Sequence, residues 1–359
     1  MLAKKKLLFL LFGLASLLIL PGCWDNTEIE DLGIAGVMGI DKVTIQGREQ
    51  YLVMLQVLKL VKAAGAAGDG GGGVGGQASS ILYKGIGLTI DDALANIQAT
   101  TPRRLFLADL GAIIVSEKVA TENLEQVVDF LARSRDIRLL RGLLVAKENL
   151  ESILQAQPQF SLTLGQEIKD TVEITRGFSA KVYYPNIKEF INELMSPSAS
   201  SVTGILKTAS QIELSPQNSG PGGSEKTTIG LDGLAVFSQG KKVGELTITE
   251  TVGYLLLQEQ GQGGVIPVQS FTEDSIDFSF RVTNLRAKKI PLFDPELKGF
   301  KVELFVEGDI SALNNVIGKL DPELLDLMEE QLAWTIKYLT ENTLRKTQDQ
   351  RADVFGLGN

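Results

Sequence analysis

The chain has 359 residues, a formal charge of −9, one cysteine and no histidine. The missing histidine excludes Ser-His-Asp and Cys-His catalysis and the usual zinc sites. The single cysteine excludes an intrachain disulfide, and the acidic balance argues against nucleic acid, whose phosphates call for clustered Lys and Arg. No cofactor and no metal site is expected, and adjacent acid pairs such as Asp91-Asp92 and Glu329-Glu330 read as solvated helix surface, since neighbours on a helix do not face one another.

At the N-terminus Lys4, Lys5 and Lys6 precede a nearly continuous apolar run over 7–20, which ends in Leu20-Pro21-Gly22-Cys23. This order, basic, apolar, then a small residue, is that of a secretory signal peptide over 1–22. Cleavage between Gly22 and Cys23 makes Cys23 the first mature residue, where bacterial lipoproteins carry the lipidated cysteine; its thiolate is the group a diacylglycerol donor can alkylate. The alternatives are an uncleaved membrane helix and a secreted soluble chain, but the apolar run falls short of the roughly 20 residues that span a bilayer. Loss of 1–22 removes three lysines and no acid, moving the charge to −12, so an anionic lipid surface repels the rest of the chain and the acyl chains must hold it.

Strands are expected over 34–40, 51–60, 81–88 and 110–115, and helices over 89–99, capped by Thr89, and 116–132, where Leu124, Val127, Val128 and Leu131 recur at helical spacing. A strand over 137–146 and a short helix over 148–156 follow. Strand and helix alternate, so 23–158 reads as an α/β domain with its sheet covered on both faces. Gly33, Gly36 and Gly39 imply a tight bend or close strand packing. The run over 65–76, GAAGDGGGGVGG, lacks the Lys of a phosphate-binding loop and reads as flexible.

Residues 159–262 form a second α+β segment. Helices are expected over 161–175 and 185–195, the latter with Pro185 in a helix-start position. A break follows at 197–201 and a loop at 215–224. Strands over 228–237 and 242–248 are joined by Ser238-Gln239-Gly240-Lys241, a hairpin signal, and a helix runs over 251–260. In the last segment, 263–359, strands over 265–268, 276–282 and 300–306 alternate as antiparallel strands do. Asp321-Pro322-Glu323 starts a long helix to about 347. Leu324, Met328, Gln331, Leu332, Thr335 and Leu339 share one face of it, which packs on the domain's own sheet or on a partner. The overall class is α+β or mixed α/β: three consecutive sheet-and-helix domains after the leader.

Four groups of residues together resemble the Ger(x)C family of spore germination lipoproteins. The first is Cys23-Trp24-Asp25 with Glu28, Leu32 and Gly39-Ile40-Asp41-Lys42. The second runs from Arg104-Leu105-Phe106 through Ile113-Ile114-Val115, Val128-Asp129-Phe130-Leu131-Ala132-Arg133 and Asp136-Ile137-Arg138 to Val145-Ala146-Lys147. The third is Gly233-Leu234-Ala235-Val236-Phe237 with Val243-Gly244-Glu245-Leu246 and Glu250, and the fourth is Asp353-Val354-Phe355-Gly356-Leu357-Gly358. Family members often carry histidine where Asp109 stands, and usually continue past the last motif. The resemblance implies three mixed α/β domains and a non-enzymatic C subunit of a nutrient germinant receptor. Such a subunit is anchored through acylated Cys23 to the outer face of the spore inner membrane and assembles with two integral membrane subunits, A and B. The alternative is a lipid-anchored extracytoplasmic solute-binding protein, which requires two similar lobes around a cleft; the halves of this chain are unlike.

Overall fold

The computed structural model describes residues 28–59, 79–122, 124–178, 181–210, 227–269, 276–293, 298–314 and 321–358. Gly22, Cys23 and the glycine run over 65–76 lie outside them. The chain divides into two compact units, Met1–Leu32 and Gly33–Asn359. The described part of the first is a single 3-10 turn, Ile29–Asp31, running into the first strand.

The larger unit is built on a nine-stranded mixed sheet. Its strands are β1 (Leu32–Ile45), β2 (Arg48–Lys59), β3 (Ser79–Gly87), β4 (Arg104–Phe106), β5 (Ala112–Ser116), β6 (Gly142–Ala146), β7 (Ser200–Ser210), β8 (Thr227–Ser238) and β9 (Lys241–Leu246). The order is β3-β2-β1-β5-β6-β7-β8-β9, with β4 beside β1. The middle, β1-β5-β6-β7, is parallel, and the strands on either side are antiparallel.

The helices are α1 (Ile90–Thr100), α2 (Glu117–Glu122), α3 (Glu125–Arg133), α4 (Leu150–Gln155), α5 (Leu164–Phe178), α6 (Ile187–Leu194), α7 (Ile248–Leu257) and α8 (Pro322–Asp349). β5 and β6 are buried at every position, as parallel strands covered on both faces must be. Their period of two divides the core. Ile113, Val115, Leu143 and Val145 pack with α1, α3 and α6, whereas Ala112, Ile114, Leu144 and Ala146 pack with α4 and α5.

Gly36 and Gly39 serve close packing, and Gly36 also stands where the register of β1 shifts, between Ala35 and Val37. A Cβ at Gly36 would stand 2.7 Å from the Thr163 side chain, and one at Gly39 would stand 2.4 Å from Leu154. The Gln239-Gly240 turn has φ of 51° and 73°, the left-handed pair that a two-residue hairpin between twisted strands requires.

A second sheet, β10 (Val265–Val268), β11 (Phe278–Phe293) and β12 (Lys298–Leu313), is antiparallel in that order. Its inner face, with Phe280, Val282 and Leu285, packs with Val252 and Leu256 of α7 and with Met328 and Ile336 of α8. Asp321 caps α8, with Pro322 in the first turn, as the sequence predicts.

The mixed α/β class is as expected, with several local differences. β6 pairs with β7 through Val145↔Ile205, so the sheet runs across the boundary expected at 158, and 23–158 shares a sheet with 159–262. β7 is absent from the expected elements: Pro197 and the serines after it read as a turn, and Gly204 weakens the strand pattern. The helix expected over 116–132 is two helices. Leu124 is fully buried and gives its N–H to the Gly240 carbonyl at 2.9 Å, so the first helix ends before it. Residues 137–141 turn before β6 starts, with the Arg141 N–H on the Arg138 carbonyl. Pro185 precedes the true cap, Asn186, which forms a capping box with Glu189. α7 starts earlier than expected, capped by Thr247 with Glu250. β11 and β12 are both longer than their expected strands.

Candidate functional site

Several of the motif residues make structural contacts. In β1, Asp41 accepts a hydrogen bond from the Ser116 hydroxyl at the junction of β5 and α2. Next to it, the Lys42 ammonium meets Glu122 at 3.1 Å and Glu49 at 3.9 Å and lies 5.7 Å from the Tyr51 ring centre. Asp109 sits 3.7 Å from the Arg141 guanidinium, which also donates to the Ala108 carbonyl.

A second charged group gathers at β9. Lys242, whose side chain is 5% exposed, stands 2.6 Å from both Glu117 and Glu245. Lys147 stands 3.3 Å from Glu245 and 3.0 Å from Asp232. Burial by itself pushes the Glu245 carboxyl up, but Lys242 and Lys147 outweigh it and hold the group below the ordinary carboxylate value. Lys147, just past β6, and Glu245 of β9 are thus tied by charge.

The C-terminal motif forms a hub. The Asp353 carboxylate accepts the N–H groups of Leu357 at 2.8 Å and Gly358 at 2.7 Å, and its own N–H reaches the Ser200 hydroxyl at 3.1 Å. Gly356, at φ 64°, makes the turn. The Phe355 ring lies 5.6 Å from Tyr254, which lies 5.4 Å from Tyr183. The Phe355 carbonyl accepts from Lys289 at 3.3 Å, and the Val354 carbonyl accepts from Gln258 at 3.0 Å. These contacts join β7, the segment before α6, α7 with its cap, and β11. Burial pushes the Lys289 ammonium below its ordinary value. Nearby, Glu193 accepts from the hydroxyls of Ser201 and Tyr183. Burial raises its carboxyl above the ordinary value despite those bonds.

Exposed apolar side chains are spread along the chain, and a stacked aromatic pair stands among them. Trp334 and Tyr338 on α8 stack with ring centres 5.2 Å apart and planes 8° from parallel, both about half exposed. Beside them an open groove of 840 Å³ runs between α8 and β12, floored by Phe300, Val302, Leu304, Val306, Leu332 and Ile336. The face of α8 expected to pack on its own sheet or on a partner packs on its own sheet: Met328, Gln331 and Thr335 are buried, and Leu324, Leu332 and Leu339 pack against the cluster there. The groove itself was not legible in the sequence, because a strand's period shows which residues share a face and not whether a neighbour covers it.

Among the described residues, no helix is long and apolar enough to cross a membrane, and no three His, Cys, Asp or Glu side chains are placed to hold a metal ion.

Comparison with known proteins places this chain. Residues 25–208 match the model of the spore germination protein N-terminal domain, and 232–359 match that of the spore germination B3/GerAC-like C-terminal domain. Spore germination protein KC of Bacillus subtilis (strain 168) is 27% identical over 99% of this chain and 87% of its own length. The putative spore germination protein YfkR of the same organism is 26% identical over the same shares. The crystal structure of the GerBC protein superposes with a TM-score of 0.48 at 16% identity, covering 89% of this chain and 85% of that one. With matched domains running from residue 25 to the last residue, the chain belongs to the GerAC-like spore germination protein family.

Proposed function

We propose that this chain is the lipid-anchored C subunit of a spore nutrient germinant receptor, working in assembly and signalling and not as an enzyme. The observation that carries the reading is the match of both family domains along nearly the whole chain. The leader supplies the anchor: acylation of Cys23 holds the protein at the outer face of the spore inner membrane. Assembly with integral membrane A and B subunits then becomes a search in two dimensions at raised local concentration. The non-enzymatic reading is supported by a sequence without histidine and by motif residues already committed to ion pairs, caps and core. The exposed aromatics and groove of the last third are the surfaces on which partners would dock.

The test is a germination assay on spores carrying wild type or Cys23→Ala at the native locus, with membrane fractions probed for the protein. The expected outcome is loss of membrane retention and of the nutrient response, while a receptor-independent trigger still works. Full retention and a normal nutrient response in the variant would overturn the anchored-subunit reading.

A further inference from the structure

We propose that the groove between α8 and β12 is a strand-addition site, which takes an extended segment of another protein, alternately apolar and flanked by basic residues. The inference deepens the germination reading, on which it rests only for the source of the segment, a neighbouring receptor subunit.

Three observations converge on it. First, β12 is the outer strand of its sheet. Its sixteen residues pair with β11 from Phe278↔Leu313 to Phe293↔Lys298, and among the described residues no strand pairs with its other edge. That edge presents N–H and C=O groups in the spacing an added strand satisfies. Second, the faces of β12 differ. Phe300, Val302, Leu304 and Val306 point into the groove, while Lys301, Glu303, Phe305 and Asp309 alternate with them on the opposite face. Apolar anchors at every second position match the period of an extended occupant, whereas a helix presents them at three and four. The groove is roofed by Glu329, Ala333, Lys337 and Glu341, exposed at four-residue spacing along one stripe of α8. Ala333, the smallest of these, leaves the space an added strand's side chains fill.

Third, the rim is acidic. Glu329 and Glu341 line the groove with one ammonium, Lys337, which pairs with Glu341 at 3.9 Å, on a chain that is itself acidic. Basic flanks on the occupant complement this rim and speed its encounter.

The probe is a fluorescent peptide of alternating Val and Thr with two lysines at each end, titrated into the purified chain by anisotropy. Binding is expected to weaken at least about tenfold when the end lysines become glutamates. Two further peptides carry N-methyl groups on odd or on even residues. One should lose binding and the other keep it, because only one edge of an added strand bonds to β12. Ala333→Trp, at an exposed helix position, should abolish binding without changing thermal unfolding. Phe305→Ala, on the opposite face, should leave binding unchanged. Equal binding of the two methylated peptides, full binding by Ala333→Trp, or no binding of the parent peptide up to about 1 mM would each overturn the proposal. None of these results bears on membrane retention of Cys23→Ala, so the two readings fail separately.

Discussion

At Glu193 the protein sets a titratable group where its charge is costly. The carboxyl lies at the end of α6 with Ser201 and Tyr183 as donors. The Glu189 charge and the Tyr254 ring system are also near, and burial raises the group above its ordinary value of 4.5. The folded state therefore holds this proton to higher pH than the unfolded chain does. The contribution is fully present below 4.5 and declines as pH rises from there through the raised folded value. Glu193→Gln removes the ionisation and keeps an acceptor for Ser201. The difference in unfolding midpoint between variant and wild type should move in the variant's favour between about pH 4 and pH 8. An identical difference at both pH values would show that the carboxyl does not titrate in this window. Nothing in the sequence marks Glu193: it sits in an ordinary amphipathic helix, and its partners come from 183 and from β7.

Elements with a strong period were readable in advance, and α8 shows both the reach and the limit of that. Its cap, its proline and its apolar stripe are local signals, and the helix forms where they place it. The same stripe holds Gln331, 6% exposed, with neither amide atom hydrogen-bonded. A buried polar group without a partner costs about 1–3 kcal/mol. Gln331→Leu is thus expected to stabilise the chain by about that amount, seen as a higher urea midpoint at unchanged slope. A lower midpoint would mean that the amide is satisfied in solution. β7 and the split between α2 and α3 were not readable, because their causes are non-local. β7 is a strand because β6 and β8 flank it, and α2 ends because a carbonyl of the β8–β9 hairpin claims the Leu124 N–H.

Across the larger unit, the C-terminal motif links the two sheets. Phe355 is 8% exposed and belongs to the cluster that includes Val202 and Val236 of the first sheet, with Val302 and Leu304 of the second packed against it. Phe355→Ala should cost about 3–5 kcal/mol, the usual range for a buried phenylalanine, with both sheets losing stability together. Hydrogen exchange followed on β7 and β11 would check this; protection lost in only one of them would show that the motif does not couple the sheets.

The sequence alone carried the expectation of a leader ending at Cys23, and it determined the composition that bars histidine chemistry, the mixed α/β class, the well-capped helices and the family resemblance. Each of these is written in neighbouring residues or in a period of two or 3.6. The tertiary structure decided the rest: one sheet continuous from β3 to β9, the ion pairs around Lys242, the hub at Phe355 and the open edge of β12. The physical reason is that a pattern of apolar residues states which face of an element leaves water, while the identity of what covers that face depends on residues a hundred or more positions away.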